Sequence, residues 1–224
     1  MKKLSSAILL AAMLALSLGM AGTVLAAPAK TADQTLDEAW TAYNIGQYNK
    51  VVQMVQPLAS EGNPRAQVLL ARCYENGLGV PQDMDTAAKW FRIAAEQNYA
   101  EAQVQLAYLH ELGAGVPKND AAVADLMGRA AASGNAEAQF NIALYFSQGR
   151  YGFAKDPEQA FAWARRSADQ GFAQAQRFVG ACYEFGVGVG ENPSEAAAWY
   201  SKAAAQGLEK EGSVFNTERV YTMP

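Results

Sequence analysis

Apolar and small residues recur along this chain with a period of 36 or 37 residues. Four copies open with an Ala-Gln pair, at Ala66, Ala102, Ala138 and Ala175. An aliphatic residue follows each Ala at the fourth position, a small residue comes next, and a ring stands at the eighth position. These spacings place the apolar residues on one face of a helix, and the small residue lets a second helix approach closely. The pattern predicts a protein of stacked repeats. The ring positions are Tyr74, His110, Phe146 and Tyr183.

Glycine and capping residues divide each copy into two helices. Glycine, which reaches the left-handed conformation at low cost, is predicted to end the first helix. These glycines are Gly77, Gly113, Gly149 and Gly186. A short connector leads to an Asp or Asn that can cap the second helix. These capping residues are Asp83, Asn119, Asp156 and Asn192, and Asn192 has the spacing of a capping box with Glu195. Each second helix is predicted to end near Asn98, Gly134, Gly171 or Gly207.

A fifth and divergent hairpin is predicted before the repeats, over residues 34–64. Trp40 and Tyr43 lie on its first helix, and Gly46-Gln47 forms a shorter turn without the Gly-x-Gly-Val connector. Pro57 falls inside its second helix, so we expect a kink or an early end there. An atypical first unit is typical of a capping repeat.

The motifs A-x-x-x-L-A/G-x-x-Y, G-x-G-V, D/N, A-x-x-W and A-A-x-x-G resemble Sel1-like repeats, which are relatives of the tetratricopeptide repeat. The resemblance covers about 145 residues, from Ala66 to Lys210. It implies an all-α fold, a right-handed α-solenoid of about five antiparallel helical hairpins. One hairpin (34–64) would be tetratricopeptide-like and four (65–210) Sel1-like. The resemblance also implies a role in protein interaction or assembly, without naming a partner.

The two ends of the chain differ from the repeats. Residues 1–26 have the features of an export signal: Lys2 and Lys3, an apolar run too short to span a membrane comfortably, and a small-residue cleavage site. We therefore expect a periplasmic or secreted protein without an integral membrane span after cleavage; a retained anchor is the alternative. Residues 27–33 are expected to be a mobile lead-in. Residues 211–224 are expected to be a frayed tail, or a segment that folds back over the last hairpin.

Charge excludes one class of partner. The formal net charge is −4, and removal of Lys2 and Lys3 with the signal takes it to −6. No run of basic residues exceeds Arg165-Arg166, so a phosphate-binding stripe is absent from the sequence. We expect no nucleic-acid partner, and a preference for basic or apolar ones.

Catalytic, metal and cofactor chemistry find little support in the sequence. Cys73 and Cys182 occupy the same offset in the first and fourth copies, which would place them too far apart for a disulfide and suits buried thiols. His110 occupies a ring position held elsewhere by Tyr or Phe, and His110-Glu111 lacks the second histidine of H-E-x-x-H. We therefore predict no catalytic residue, no metal, no cofactor and no disulfide.

The most informative surface is the side of each first helix opposite the core stripe, which lines the concave groove in tetratricopeptide-like superhelices. Its positions include apolar residues where a solvated face would be polar, and we predict that they form a partner-binding groove. The candidate groove residues are Arg65, Val68, Arg72, Val104, Tyr108, Glu111, Phe140, Leu144 and Arg177. The alternative is that superhelical curvature buries the apolar members between neighbouring repeats.

A second candidate is the irregular loop that gives the third copy its extra residue. Arg150 and Tyr151 present a cation and a ring together there, and loops that break a repeat often carry function. The alternative is a harmless loop whose Phe153 packs down in place of the usual Val.

Taken together, these features predict an exported scaffold that binds a protein or peptide partner in the bacterial envelope through its concave groove. A cell-wall-directed enzyme, of the hydrolase or penicillin-binding type, and a carbohydrate-binding module are the alternatives. An enzyme would need ionisable groups that converge in a pocket, whereas peptide binding needs a groove with a charged rim.

Overall fold

The computed structural model describes residues 30–208, and this part of the chain forms ten helices paired into five hairpins, without strands. The expected all-α solenoid of helical hairpins is confirmed. The first two hairpins are α1 (Ala32–Asn44) with α2 (Tyr48–Ser60), and α3 (Pro64–Asn76) with α4 (Met84–Glu96). The other three are α5 (Ala100–Leu112) with α6 (Asp120–Ala132), α7 (Ala136–Gln148) with α8 (Pro157–Asp169), and α9 (Ala173–Phe185) with α10 (Pro193–Ala204).

Each helix packs mainly against the helices before and after it in the chain. None of the helices between residues 30 and 208 reaches the length and apolarity that crossing a membrane requires. The expected export signal, residues 1–26, and the expected tail, residues 211–224, lie outside the described residues.

Local signals in the sequence set the helix ends. The four predicted glycines adopt the left-handed conformation directly after α3, α5, α7 and α9. The four predicted Asp and Asn caps each accept a hydrogen bond from the backbone N–H three residues later, which satisfies one of the amides that have no partner within the helix. These predictions are confirmed.

Three local expectations differ from the structure. Helix α1 begins at Ala32, earlier than expected, because Thr31 and Gln34 form a complete capping box. Helix α2 does not end early at Pro57; it continues to Ser60, and the Glu61 N–H still donates to the Pro57 carbonyl oxygen at 3.0 Å. The side chain of Glu195 does not reach back to Asn192; it accepts a hydrogen bond from Trp199 Nε1 at 3.1 Å.

The Ala-Gln pairs join consecutive hairpins. The glutamines Gln67, Gln103, Gln139 and Gln176 are buried. Each donates through Nε2 to a backbone carbonyl in the last turn of the preceding second helix, at 3.1–3.3 Å. In three of the four repeats, the Oε1 atom accepts a hydrogen bond from a second glutamine about 30 residues later. A buried amide thereby fixes the stacking of one repeat on the next, since an unmade bond at such a site is costly.

The connectors also hold neighbouring repeats together. A side chain at Gly115 would overlap the carbonyl of Met84, and one at Gly188 would overlap the carbonyl of Pro157. Both glycines also have positive φ, so the connector can lie directly on the preceding repeat. The longer connector of α7–α8 makes no such close approach at Gly152. A side chain added to Gly152 would have no atom within 4 Å.

Candidate functional site

A cavity of about 380 Å³ opens on the surface formed by the first helices α3, α5, α7 and α9. We call it the first-helix cavity. Its lining residues are Glu75, Gln105, Tyr108, Glu111, Leu112, Glu137, Phe140, Asn141, Leu144, Phe172 and Gln174. It draws on four consecutive hairpins, so it exists only because they are stacked.

Pairs of polar residues connect neighbouring first helices along this surface. Arg72 on α3 forms an ion pair with Glu101 on α5 at 2.9 Å. At the same offset of the next repeat, the Tyr108 hydroxyl donates to Glu137 on α7 at 2.8 Å. We call these pairs polar rungs. The third repeat has Leu144 at this offset, and Leu144 lines the cavity instead of forming a rung.

The apolar wall of the cavity is more buried than the sequence suggested. The expected exposed patch is wrong for Val68 and Val104, which are 1% exposed, and for Phe140 and Leu144, which are 8% exposed. The alternative of burial between repeats is the one observed. Phe140 is buried by two rings, one on α9 and one in the turn before it. The ring centroid of Phe140 lies 5.6 Å from that of Phe172 and 5.9 Å from that of Phe178.

The candidate groove residues therefore divide into two groups. Four of them, Tyr108, Glu111, Phe140 and Leu144, line the cavity together. The other five do not line it. They are Arg65, Val68, Arg72, Val104 and Arg177.

Two of the three candidate arginines outside the cavity form ion pairs with neighbouring helices. Arg65 lies 3.3 Å from Asp33 and 3.6 Å from Asp37 on α1. Arg72 is engaged in the first polar rung, and Arg177 is half-buried on α9. Such pairs at a partly exposed surface contribute little to stability, typically about 0–1 kcal/mol.

Three carboxyl groups surround the apolar wall. Glu137 accepts the Tyr108 bond of the second rung. Glu111 accepts hydrogen bonds from Tyr151 and Arg150. Glu75 is half-buried, and its pKa is raised by burial, although Arg72 opposes this effect. Desolvation is thus the dominant influence on Glu75.

The irregular loop reaches the cavity through Glu111. The hydroxyl of Tyr151 donates to Glu111, and the guanidinium of Arg150 forms an ion pair with the same carboxylate at 3.3 Å. Arg150 also lies over the Tyr151 ring, 4.7 Å from its centroid. Tyr151 has a φ of 52°, which is unusual for a residue other than glycine. The two loop candidates are therefore joined to the groove candidates by one shared carboxylate.

The other aromatic residue of the loop has a packing role. Phe153 is half-buried, and its ring centroid lies 5.0 Å from Phe146 and 5.8 Å from Tyr145. Phe153 thus packs down, as the alternative of a harmless loop proposed, while Arg150 and Tyr151 reach Glu111.

Sequence reasoning missed several lining residues, most clearly Phe172 and Asn141. Phe172 and Tyr99 stand at the N-cap positions of α9 and α5, where α3 and α7 have Asn63 and Asn135. An aromatic residue at an N-cap position, where Asn is preferred, indicates that the side chain serves a purpose other than capping the helix. This signal could have been used to identify Phe172. Asn141 donates to the Tyr108 hydroxyl at 2.8 Å, a contact over 33 residues that no local pattern predicts.

The two cysteines and the histidine lie outside the cavity lining. Cys73 and Cys182 are buried, as predicted, and burial raises the pKa of their thiols to about 11 and about 12. Such thiols stay protonated and are poor nucleophiles. His110 is half-buried, with Nδ1 3.0 Å from the Pro117 carbonyl oxygen. Over residues 30–208, no group of three or more His, Cys, Asp or Glu side chains is arranged to hold a metal ion.

Comparisons with solved structures place this architecture among known proteins. A Sel1 repeat protein from Oxalobacter formigenes is 36% identical, with a TM-score of 0.68, and the match covers 71% of this chain and 46% of that one. A protective antigen present in uropathogenic Escherichia coli strains, which has the SLR fold, is 27% identical with a TM-score of 0.69. That match covers 79% of this chain and 38% of the antigen. This chain therefore matches less than half the length of either protein.

A third structure shares the fold at lower identity. An immunity protein from Pseudomonas aeruginosa is 22% identical, with a TM-score of 0.58, over 79% of this chain and 66% of that one. Comparison with curated proteins gave no match.

The family is established by the repeats themselves. Residues 64–99, 100–135, 136–172 and 173–208 each match the Sel1 repeat, so contiguous matches cover well over half of the 224 residues. Each match contains one first helix, its connector and one second helix. The chain belongs to the Sel1 repeat family.

Proposed function

We propose that this protein is a binding scaffold of the bacterial cell envelope, which takes a protein or peptide partner in its first-helix cavity. The observation that carries the proposal is the cavity itself, which has an apolar wall, a rim of carboxylates and amides, and a place on four consecutive first helices. Concave apolar sites with a few polar groups are the usual form of binding sites. The repeats supply the rigid frame, because each one is fixed to the next by buried glutamines.

The envelope location is proposed from the sequence of residues 1–26. A basic start, an apolar run and a small-residue cleavage site are the elements of an export signal. Fractionation of cells that produce the full chain, with mass measurement of the product, tests this point. We expect a periplasmic or secreted protein that begins at Ala27. A full-length product retained in the cytoplasm would refute the location.

We assign the cavity a binding role rather than a catalytic one. Two of its three carboxylates are already engaged by protein donors: Glu111 by Tyr151 and Arg150, and Glu137 by Tyr108. Groups held in this way are placed to recognise a ligand, and less well placed to exchange protons with it.

Site-specific photocrosslinking in cells tests the binding site. Leu112 lies on the cavity lining and is 64% exposed, so a photoreactive residue there would contact a bound partner. Ile93, on the second helix α4, is also an exposed apolar residue, at 42%, and is the matched control. We expect discrete adducts from position 112 and none from position 93. Equal adducts from both positions, or none from position 112, would refute the assignment to the first-helix cavity.

A further inference from the structure

One carboxyl group on the cavity lining is not explained by the contacts within the protein. Gln82 donates to the backbone oxygen of Glu75. In the described part of the chain, however, no donor reaches the carboxyl group of Glu75. By contrast, Glu111 and Glu137 each accept a hydrogen bond from a tyrosine hydroxyl. Burial removes hydration from this carboxyl group, and only the charge of Arg72, which is itself paired with Glu101, opposes that loss.

The position of Glu75 on its helix adds to this cost. Glu75 lies in the last turn of α3, and Glu111 lies in the last turn of α5. The C-terminal end of a helix is the negative end of its dipole, which disfavours carboxylates and favours cations. Glu111 is already paired with Arg150, so Glu75 is the carboxyl group at which this side of the cavity attracts a positive charge.

The cations nearest to these carboxylates leave Glu75 without a direct ion pair within residues 30–208. Arg72 is paired with Glu101, and Arg150 is paired with Glu111. Among the residues that line the cavity, all within the described range, none is Lys or Arg. A cation supplied by a ligand would therefore find at Glu75 a carboxyl group that forms no direct ion pair within the described residues, although the charge of Arg72 is felt there.

The apolar wall continues from Leu112 and Tyr108 to Phe140, Leu144 and Phe172. Lys and Arg side chains suit such a path, since their aliphatic stems pack on apolar surface while the charged end reaches a polar group. The lining crosses four first helices, and three steps of about 8–10 Å between packed helices give about 24–30 Å. An extended peptide of roughly seven to nine residues has this length.

We propose that the first-helix cavity binds a basic, extended segment of a partner protein, whose Lys or Arg side chain meets Glu75 and whose apolar side chain packs on Phe140, Leu144 and Phe172. This inference rests on the proposed function, because it names the chemistry of the partner for the same cavity. The unpaired carboxyl group fixes the charge of the ligand, and the rings fix its apolar neighbour.

Selection from a random peptide library tests the proposal. Blocked nine-residue peptides would be passed over the immobilised full chain, and the retained peptides would be sequenced by mass spectrometry. We expect retained peptides to be enriched in Lys and Arg by about threefold or more over the input, in line with electrostatic complementarity. The same selection on Glu75→Gln should return the Lys and Arg content to that of the input.

The matched control is Glu96→Gln. Glu96 is exposed and also lies in the last turn of its helix, but it is on the second helix α4, away from the cavity. This variant should retain basic peptides as the unchanged protein does. For a single retained basic peptide, we expect Glu75→Gln to weaken binding about fivefold, as a partly exposed ion pair would.

The outcomes separate this inference from the proposed function. Retained peptides without basic enrichment would overturn the basic preference, and enrichment unchanged by Glu75→Gln would overturn the role of Glu75; both results leave the peptide site standing. No retained peptides, together with no adducts at Leu112, would overturn both. If Glu75→Gln lowers the melting temperature, its loss of binding cannot be interpreted. The test is then how the affinity of the unchanged protein for a retained basic peptide depends on salt. Affinity must then fall as salt rises, and a flat dependence would refute the proposal.

Discussion

The second repeat (100–135) and the third repeat (136–172) have the same helices but use them differently. The second repeat forms a polar rung through Tyr108 and a tight connector through Gly115. The third repeat has Leu144 at the rung position, Phe140 where the second has Val104, and a longer connector. The regular repeat thus makes the rung and the tight connector, while the irregular repeat supplies Phe140, Leu144 and Phe172 to the apolar wall of the cavity. In this molecule the candidate site lies where the repeat pattern is broken.

The largest expected effect of a single change is at Phe140, because the two repeats differ most in the size of the side chain there. Phe140→Ala should lower the free energy of unfolding by about 3–5 kcal/mol, the usual cost for a buried Phe. The equivalent change Val104→Ala removes two methyl groups and should cost about 1.5–3 kcal/mol. Denaturant unfolding of both variants measures the difference. A Phe140 variant as stable as the unchanged protein would show that the ring is not packed between α7 and α9.

The connectors give the next comparison. Gly115→Ala should destabilise by about 2–4 kcal/mol, because it combines a left-handed backbone with overlap against Met84. Gly152→Ala should lower the free energy of unfolding by only about 1–2 kcal/mol, the cost of the left-handed backbone, since the space around Gly152 is open. Thermal melts of the two variants test this order. The reverse order would mean that the third connector, and not the second, is the tighter one.

The features that could be predicted from the sequence are those that depend on residues close together in the chain. Helix ends depend on residues one to four positions away, so the glycine stops and the Asp and Asn caps could be identified from their offsets. The repeat period and the hairpin pairing follow from the same local signals. Buried thiols could also be predicted, because Cys73 and Cys182 share a position on the core side of their helices.

Burial on the first-helix surface could not be predicted in this way. Whether Phe140 is exposed depends on Phe172 and Phe178 in the next repeat. That contact is set by the curvature of the stack and not by the pattern within one helix. The link from Tyr151 to Glu111 spans 40 residues and depends on the extra residue in the loop. Helical periodicity assigns a face, but the neighbouring repeat decides whether water reaches it.

Buried amides give the third comparison between the two repeats. In the third repeat, Gln170 donates to Gln139 Oε1 at 2.7 Å. Gln170→Ser would remove this donor and leave a buried acceptor without a partner, which should cost about 1–3 kcal/mol. Denaturant unfolding measures the loss, and Glu158→Gln, an exposed change in the first turn of α8, the helix that ends directly before Gln170, is the control. A loss no larger than that of the control would show that water replaces the missing donor.

The smallest expected effect is a gain of stability in the second repeat. Ser133 stands where the other three repeats have a glutamine, and its hydroxyl donates to the Ala130 carbonyl oxygen at 2.8 Å. The Oε1 atom of Gln103 is buried and, within the described residues, accepts no hydrogen bond. Ser133→Gln would supply the missing donor, as Gln170 does for Gln139. We expect a gain of about 0.5–1.5 kcal/mol in the free energy of unfolding, the usual net value of one hydrogen bond.

Two further variants show whether that gain comes from the intended bond. Ser133→Ala removes the hydroxyl without adding a donor, so it should not stabilise the protein. In a Gln103→Met background the acceptor is gone, and Ser133→Gln should then have no benefit; this double-mutant cycle isolates the pair. An equal gain in both backgrounds would assign the effect to the helix end and not to Gln103. A loss of stability in the unchanged background would mean that the second repeat has no room for the longer amide, and that its stacking on the first repeat differs from the stacking seen in the other three.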